Sequence, residues 1–163
     1  MKKTGDDQDT LAPGELDVDA VLVRALRQQD LDALVHIDKQ ATGRSRRAYY
    51  EAKVKAALES GAVQCSLVAE LDDHVVGFML SRLYYGEFGV SEPTAMIDSI
   101  GVDSAYQRKK VGEALFRQLR MNLSALNVEH VESLVDWDRH DLVRFLARHG
   151  FKPAPRLCLR LEL

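Results

Sequence analysis

Three consecutive cations, Arg108, Lys109 and Lys110, stand between an apolar run, "TAMIDSIGV", and a helical pattern, "VGEALFRQLRMNLSAL". Positive charge then sits at the positive end of a helix macrodipole, which costs about 0.3 to 1 kcal/mol per exposed cation. An anion reverses the sign of that cost. A helix N-terminus presents N–H groups without intrahelical acceptors, and Arg and Lys beside them make a site for a multiply charged ligand such as a pyrophosphate. Gly112, which has no Cβ, lets such a ligand approach the backbone closely. The same cations can also reach into water on their long stems, so this segment alone leaves both readings open. Neither common phosphate loop, GxxxxGK followed by Ser or Thr, or GxGxxG, occurs in the chain.

The elements that must position this segment follow from hydrophobic period. Residues 1–17 are polar, with Pro13 and Gly14, and read as a flexible tail ahead of one domain over 18–163. "AVLVRAL" (Ala20 to Leu26) is a short β-branched strand. "DLDALVHIDKQ" then sets Leu31, Leu34, Val35 and Asp38 at helical spacing behind a capping Asp30, and "RRAYYEAKVKAALES" is a second helix, between Gly43 and Gly61. "VQCSLVAELDD" and "HVVGFMLSRLYY" read as two strands joined through Asp72-Asp73, most simply an antiparallel hairpin, and "GEFGVSEP" is a loop. After the strand "TAMIDSIGV", the next helix carries Val111, Leu115, Leu119, Leu123 and Leu126 on one face. "VEHVESLVDW" is another strand. "DLVRFLARHG" is a short helix closed by Gly150, with Leu142, Phe145 and Leu146 as its apolar stripe, Asp138 as its N-cap and Trp137 packed beneath it. "RLCLRLEL" alternates strictly, with Leu157, Leu159, Leu161 and Leu163 on one face, and reads as a half-buried strand. This order predicts an α/β fold: a single mixed, largely antiparallel sheet flanked by helices on both faces.

Composition narrows the function classes. With 163 residues, 46% of them hydrophobic, the chain can bury one core. A net charge of −3 gives no general attraction to nucleic acid or to anionic lipid, so no nucleic-acid or membrane partner is expected and any basic site is local. No stretch approaches the roughly 18 to 20 apolar residues of a membrane span, and the first residues lack an apolar leader core, which predicts a cytoplasmic protein. Cys65 and Cys158 lie in apolar segments without metal-ligand spacing; buried, reduced thiols are expected rather than a disulfide or a metal site.

The segment "MIDSIGVDSAYQRKKVGEALFRQL" resembles motif A of the GNAT N-acetyltransferase superfamily: an apolar strand, then Q/R-x-x-G-x-G/A opening a long helix. Here that motif reads Gln107-Arg108-Lys109-Lys110-Val111-Gly112; Lys110 stands where the first glycine is usual and Gly112 keeps the second. The likeness extends over about residues 20–163, through the strand-helix-"GF" sequence at Gly150-Phe151. It implies the acyl-CoA N-acyltransferase fold and a cosubstrate, acetyl-CoA, with no metal. Its pyrophosphate would rest on backbone N–H groups of Gln107, Arg108, Lys109, Lys110, Val111, Gly112, Glu113 and Ala114. Its pantetheine arm would pair along Ile100, Gly101 and Val102.

The resemblance implies direct attack of a neutral amine on the thioester carbonyl, with a CoA thiolate leaving, and therefore a group that takes the amine's proton. Asp98 is the candidate base; period-two alternation puts it on a face with Met96, Ile100 and Val102, and the competing reading pairs it with a neighbour such as Arg82. Tyr84 and Asp136 are assigned to the acceptor site, where Asp98, Glu87, Glu92, Asp136 and Asp138 would form an acidic entrance for a cationic amine. The family's usual acid, a tyrosine four residues before the "GF" glycine, is replaced by Leu146, and the family's asparagine by Arg139; water, Tyr84, Tyr85 or Tyr106 are the remaining proton donors. Two functions follow: an enzyme acetylating a primary amine on a small molecule or protein, or a non-catalytic acyl-CoA-binding sensor or interaction module. The acceptor amine is not identified, and a homodimer is left open.

Overall fold

β-Branched residues and apolar alternation build five strands in the computed structural model, which describes residues 20–59, 65–85 and 92–163. The expected tail, Gly61, Glu87 and most of the loop "GEFGVSEP" lie outside the described residues. In chain order the elements are β1 (Leu22–Ala25), α1 (Leu31–Thr42), α2 (Arg47–Glu59), β2 (Leu67–Leu71), β3 (His74–Tyr85), β4 (Pro93–Val102), α3 (Val111–Ser124), β5 (His130–Ser133) and α4 (His140–Arg148). They fall into two compact units, one ending at Ser133 and the other covering Leu134–Leu163.

In the first unit the sheet order is β1-β2-β3-β4-β5, antiparallel throughout except for the parallel pair β4–β5. The β2–β3 hairpin turns through Asp72 (φ 49°) and Asp73 (φ 62°), both left-handed, the backbone that suits a two-residue turn to the twist of its strands. Gly77 and Gly101 locate the helices. A Cβ on Gly77 would stand 2.7 Å from Val111 of α3, whereas one on Gly101 would meet the Phe78 ring at 2.6 Å and Ile37 of α1 at 3.0 Å. Helix α3 therefore covers one face of the sheet, and α1 covers the other.

The α3 stripe packs as its spacing requires: Val111, Leu115, Leu119 and Leu123 are all buried, each contributing about 1.5–3 kcal/mol of transfer free energy. On the opposite face Leu34, Val35 and Ile37 of α1 join Tyr50 and Val54 of α2 against Val68, Phe78 and Leu80. The Tyr50 ring meets Phe78 edge-on at 5.6 Å, and its hydroxyl donates to Asp38 Oδ1 at 3.0 Å. Asp38, 5% exposed, also receives Arg46 Nε at 2.9 Å, so a buried carboxylate ties the two helices together. Asp30 stands at the N-cap of α1, but its side chain makes no capping bond there. It accepts from Arg27 N at 2.7 Å and binds Arg24 through both oxygens, which anchors β1 instead.

The second unit departs further from the sequence reading. Arg139, not Asp138, occupies the N-cap of α4; Trp137 is exposed; and "RLCLRLEL" forms no strand, its leucines at positions 157, 159, 161 and 163 being 82–115% exposed. Alternation alone does not make a strand, because the pairing that satisfies its backbone must come from a neighbouring edge. The two cysteines separate for the same reason. Cys65 is buried and Cys158 exposed, so only the first matches the expected buried thiol. Burial raises the Cys65 pKa and depletes its thiolate. Ellman's reagent should therefore titrate one thiol quickly in native protein, lost in Cys158→Ser, and reach Cys65 only on unfolding.

Candidate functional site

Among the described residues, strand β4 has a strand partner along only half of one edge. It pairs with β5 from Thr94↔His130 to Ile97↔Ser133, where Ser133 Oγ donates to Ile97 O at 3.1 Å. Beyond Ile97 it continues to Val102 against β3 only, so among the described residues its other edge, from Asp98 to Val102, faces no strand. At that divergence the β3–β4 register shifts: Leu80 faces Ser99 and Ser81 faces Ile97, leaving Asp98 as the extra residue of a β-bulge.

The bulge corrects the expected alternation. Asp98 and Ser99 both point to the α1–α2 face, where Lys53 Nζ lies 2.9 Å from Asp98 and Tyr49 Oη lies 3.2 Å from Ser99 Oγ. Val102, opposite Gly77, faces α3, as does Ile100 by alternation; Met96 stays with Asp98, being opposite Arg82. Asp98 pairs with Arg82 Nε at 3.3 Å, as one of the two sequence readings had it, and also with Lys53, which no local pattern announced across 45 residues. Its surroundings in this unit are thus cationic and aromatic: Lys53 and Arg46 flank the Tyr49 ring at 5.6 and 5.4 Å. Of the residues expected at an acidic entrance, Glu87 lies outside the described residues. Glu92 is exposed, and Asp136 and Asp138 lie in an exposed turn of the second unit. Tyr84 is on the Asp98 side of β3 and donates to Glu132 of β5 at 2.6 Å. Leu146, at the position of the usual tyrosine, is buried.

From Val102 the chain enters a turn, Ser104–Tyr106, saturated with hydrogen bonds. Asp103 N donates to Val76 O at 2.9 Å, Ala105 N to Asp103 Oδ1 at 2.9 Å, and Tyr106 N to Asp103 O at 2.9 Å. Gln107 Nε2 reaches back to Val102 O at 3.3 Å. Then Arg108 (φ 62°) and Lys110 (φ 61°) adopt left-handed backbone while Gln107 and Lys109 do not. Each such residue costs of order 1–3 kcal/mol. Lys110 thus takes the conformation that a glycine would have supplied, without the glycine. The turn thus carries two residues of the handedness found in the nests of successive N–H groups that bind anions. It opens into α3, whose first helical bond is Ala114 N to Lys110 O at 2.9 Å, so the amides of Val111, Gly112 and Glu113 precede any intrahelical acceptor. Lys109 Nζ sits 5.1 Å from the Tyr106 ring centroid, with Arg108 exposed beside it. The structure therefore gathers Ile100 through Ala114 into one strand-turn-helix unit.

A family model described as "Acetyltransferase (GNAT) family" matches residues 24–151. The chain belongs to the GNAT acetyltransferase family. Solved structures with the same GNAT fold include a transcriptional regulator from Bacillus halodurans C-125, at 20% identity and TM-score 0.74, covering 88% of this chain and 99% of that one. The aminoglycoside N-acetyltransferase AAC(6')-Iy in complex with CoA aligns at 15% identity and TM-score 0.74, covering 93% and 99%. A possible acetyltransferase from Clostridium difficile 630 aligns at 18% identity and TM-score 0.72, over 88% and 98%. No curated protein matches the GNAT chain in sequence. Among the described residues, no helix is long and apolar enough to cross a membrane, and no group of three or more His, Cys, Asp or Glu is placed to hold a metal ion.

Proposed function

We propose that this protein transfers the acetyl group of acetyl-CoA to a primary amine by direct attack in a ternary complex. The observation that carries the reading is the turn at Gln107–Lys110, with Arg108 and Lys110 left-handed, which opens onto the start of α3 directly after a β4 edge that faces no strand among the described residues. Acetyl-CoA supplies the acyl group as a thioester. The amides from Gln107 to Ala114 hold the pyrophosphate, with Arg108, Lys109 and Lys110 adding charge. The β4 edge at Ile100, Gly101 and Val102 that faces no strand among the described residues holds the pantetheine arm as an added strand, and an N–H at the bulge polarises the thioester carbonyl. Asp98, on a bulge at the same divergence, takes the proton from the ammonium directly or through water. The amine nitrogen then forms the C–N bond, the C–S bond breaks, the nitrogen gives its second proton to solvent, and the thiolate leaves with a proton from solvent.

A second reading rests on Leu146, which removes the family's usual proton donor and leaves a non-catalytic acyl-CoA sensor as the competitor. One experiment separates them. CoA release is followed with acetyl-CoA and a panel of amines that includes aminoglycosides, polyamines and peptides, beside thermal stabilisation by acetyl-CoA alone. The enzyme reading expects release with at least one amine and a drop of about 100-fold in kcat for Asp98→Asn, within the range of a lost general base. Stabilisation without release from any amine establishes the sensor. Release that survives Asp98→Asn removes that residue from the chemistry.

A further inference from the structure

Two left-handed non-glycine residues within three positions persist only where their surroundings over-determine them. The turn ahead of them is fixed by local bonds, by Asp103 N on Val76 O, and by one side chain from α1. Gln40, on the exposed side of α1, reaches 63 residues along the chain: its Nε2 donates to Asp103 Oδ2 at 3.1 Å, and its Oε1 accepts from Ser104 N at 3.0 Å. The orientation of this amide is settled by its partners, because a backbone N–H can only donate and a carboxylate can only accept. The second Nε2 hydrogen faces His36 Nε2 at 3.1 Å, one turn earlier on the same helix, so that imidazole nitrogen is the acceptor.

The carboxylate that Gln40 grips is the one that organises the turn. Asp103 Oδ1 accepts from Ala105 N while Oδ2 takes Gln40, and Asp103 N is itself fixed on Val76 of β3. Gln40 thereby holds one oxygen of Asp103 and the amide of Ser104, three residues ahead of Gln107. We infer that Gln40 is a positioning residue for the anion-binding loop, holding the Asp103–Tyr106 turn so that Arg108 and Lys110 stay left-handed before the ligand arrives. Its hydrogen bonds go to His36, Asp103 and Ser104, none of them assigned to the ligand. Its contribution is pre-organisation: a loop already in its bound shape spends less of its binding energy on ordering. The inference rests on acetyl-CoA as the ligand of this loop.

The test exploits the polarity of the amide. Gln40→Glu keeps an acceptor for Ser104 N but sets a carboxylate against Asp103, and should raise the Kd for acetyl-CoA about tenfold, the scale of one or two charged hydrogen bonds. Adding Asp103→Asn restores a donor–acceptor pair in reversed sense: the introduced amide nitrogen donates to the introduced carboxylate, while the amide oxygen still serves Ala105 N. The double variant should recover the wild-type Kd within about twofold. Both variants are read by calorimetry with acetyl-CoA on the full chain, beside thermal midpoints, which an exposed residue leaves within a few degrees. In the acetylation assay the KM for acetyl-CoA should rise in Gln40→Glu while the KM for the amine stays constant. A Gln40→Glu protein that binds as tightly as wild type overturns the inference, and so does a double variant that stays weak. Wild-type protein that does not bind acetyl-CoA overturns the functional proposal and, with it, this one.

Discussion

Reversing Lys109 and Lys110 to glutamate weakens acetyl-CoA binding by about 10- to 100-fold, the loss expected when one or two charge-assisted bonds of roughly 1.5–3 kcal/mol become repulsive. Folding should respond in the opposite direction. The substituted side chains sit at the N-cap of α3 and the residue before it, where an anion interacts favourably with the macrodipole by about 0.3–1 kcal/mol and a cation does not. A variant that is as stable as wild type, or slightly more so, yet binds poorly cannot be explained by general damage. Calorimetry at two salt concentrations adds a further check, since a site built on charge loses affinity as ionic strength rises. Equal binding by variant and wild type returns the three cations to an ordinary solvated surface.

Replacing Asp38 by alanine is expected to cost about 2–4 kcal/mol, read by urea denaturation, or roughly 5–15 °C in Tm. Asp38 and Tyr50 are 5% and 1% exposed, so the truncation takes the carboxylate from the buried Tyr50 hydroxyl and leaves it only the weaker, neutral hydroxyl of Ser99. Arg46 is 40% exposed and can turn to water, which keeps the loss below that of a fully buried pair. The same cluster has a signature in alkali. Burial, then the Asp38 charge, raises the Tyr50 pKa above that of a free phenol, near 10. The unfolded chain therefore releases this proton first, and the stability the group contributes, complete below about pH 10, falls as pH rises beyond it. Tyr50→Phe should flatten that alkaline slope. An Asp38→Ala protein as stable as wild type would mean that core packing alone joins α1 to α2.

What the sequence made legible is local in origin. Asp72-Asp73 between two alternating runs specifies a hairpin through turn chemistry, and the four-residue step from Val111 to Leu123 specifies which side of α3 is buried. The loop at Gln107–Gly112 was readable because its odd feature, cations at a helix start, lies within a few residues. Asp98 was only half legible. Its type and its strand could be read, but a bulge depends on how β3 meets β4, so its direction could not, and neither could Lys53 as its partner. Gln40 gave no local sign at all, being one polar residue on the outer side of an amphipathic helix. The leucines from 157 to 163 show the converse limit, since alternation states which residues could share a face without supplying the edge to pair with.

The bulge at Asp98 also has a meaning in terms of insertion and deletion. If residue 98 is set aside, Ile97 and Ser99 become consecutive, face opposite sides of the sheet, and stand opposite the consecutive residues Ser81 and Leu80. The ladder is then regular from end to end. Strand β4 thus carries one residue more than its pairing with β3 requires, and that supernumerary residue is the carboxylate. A deletion there is the length change this strand absorbs with every other side chain still on its own face, whereas losing a residue on either side of it reverses a run of them. The position is therefore separable from the fold: lineages sharing this sheet can keep, exchange or drop the group at 98 without rebuilding the core around it.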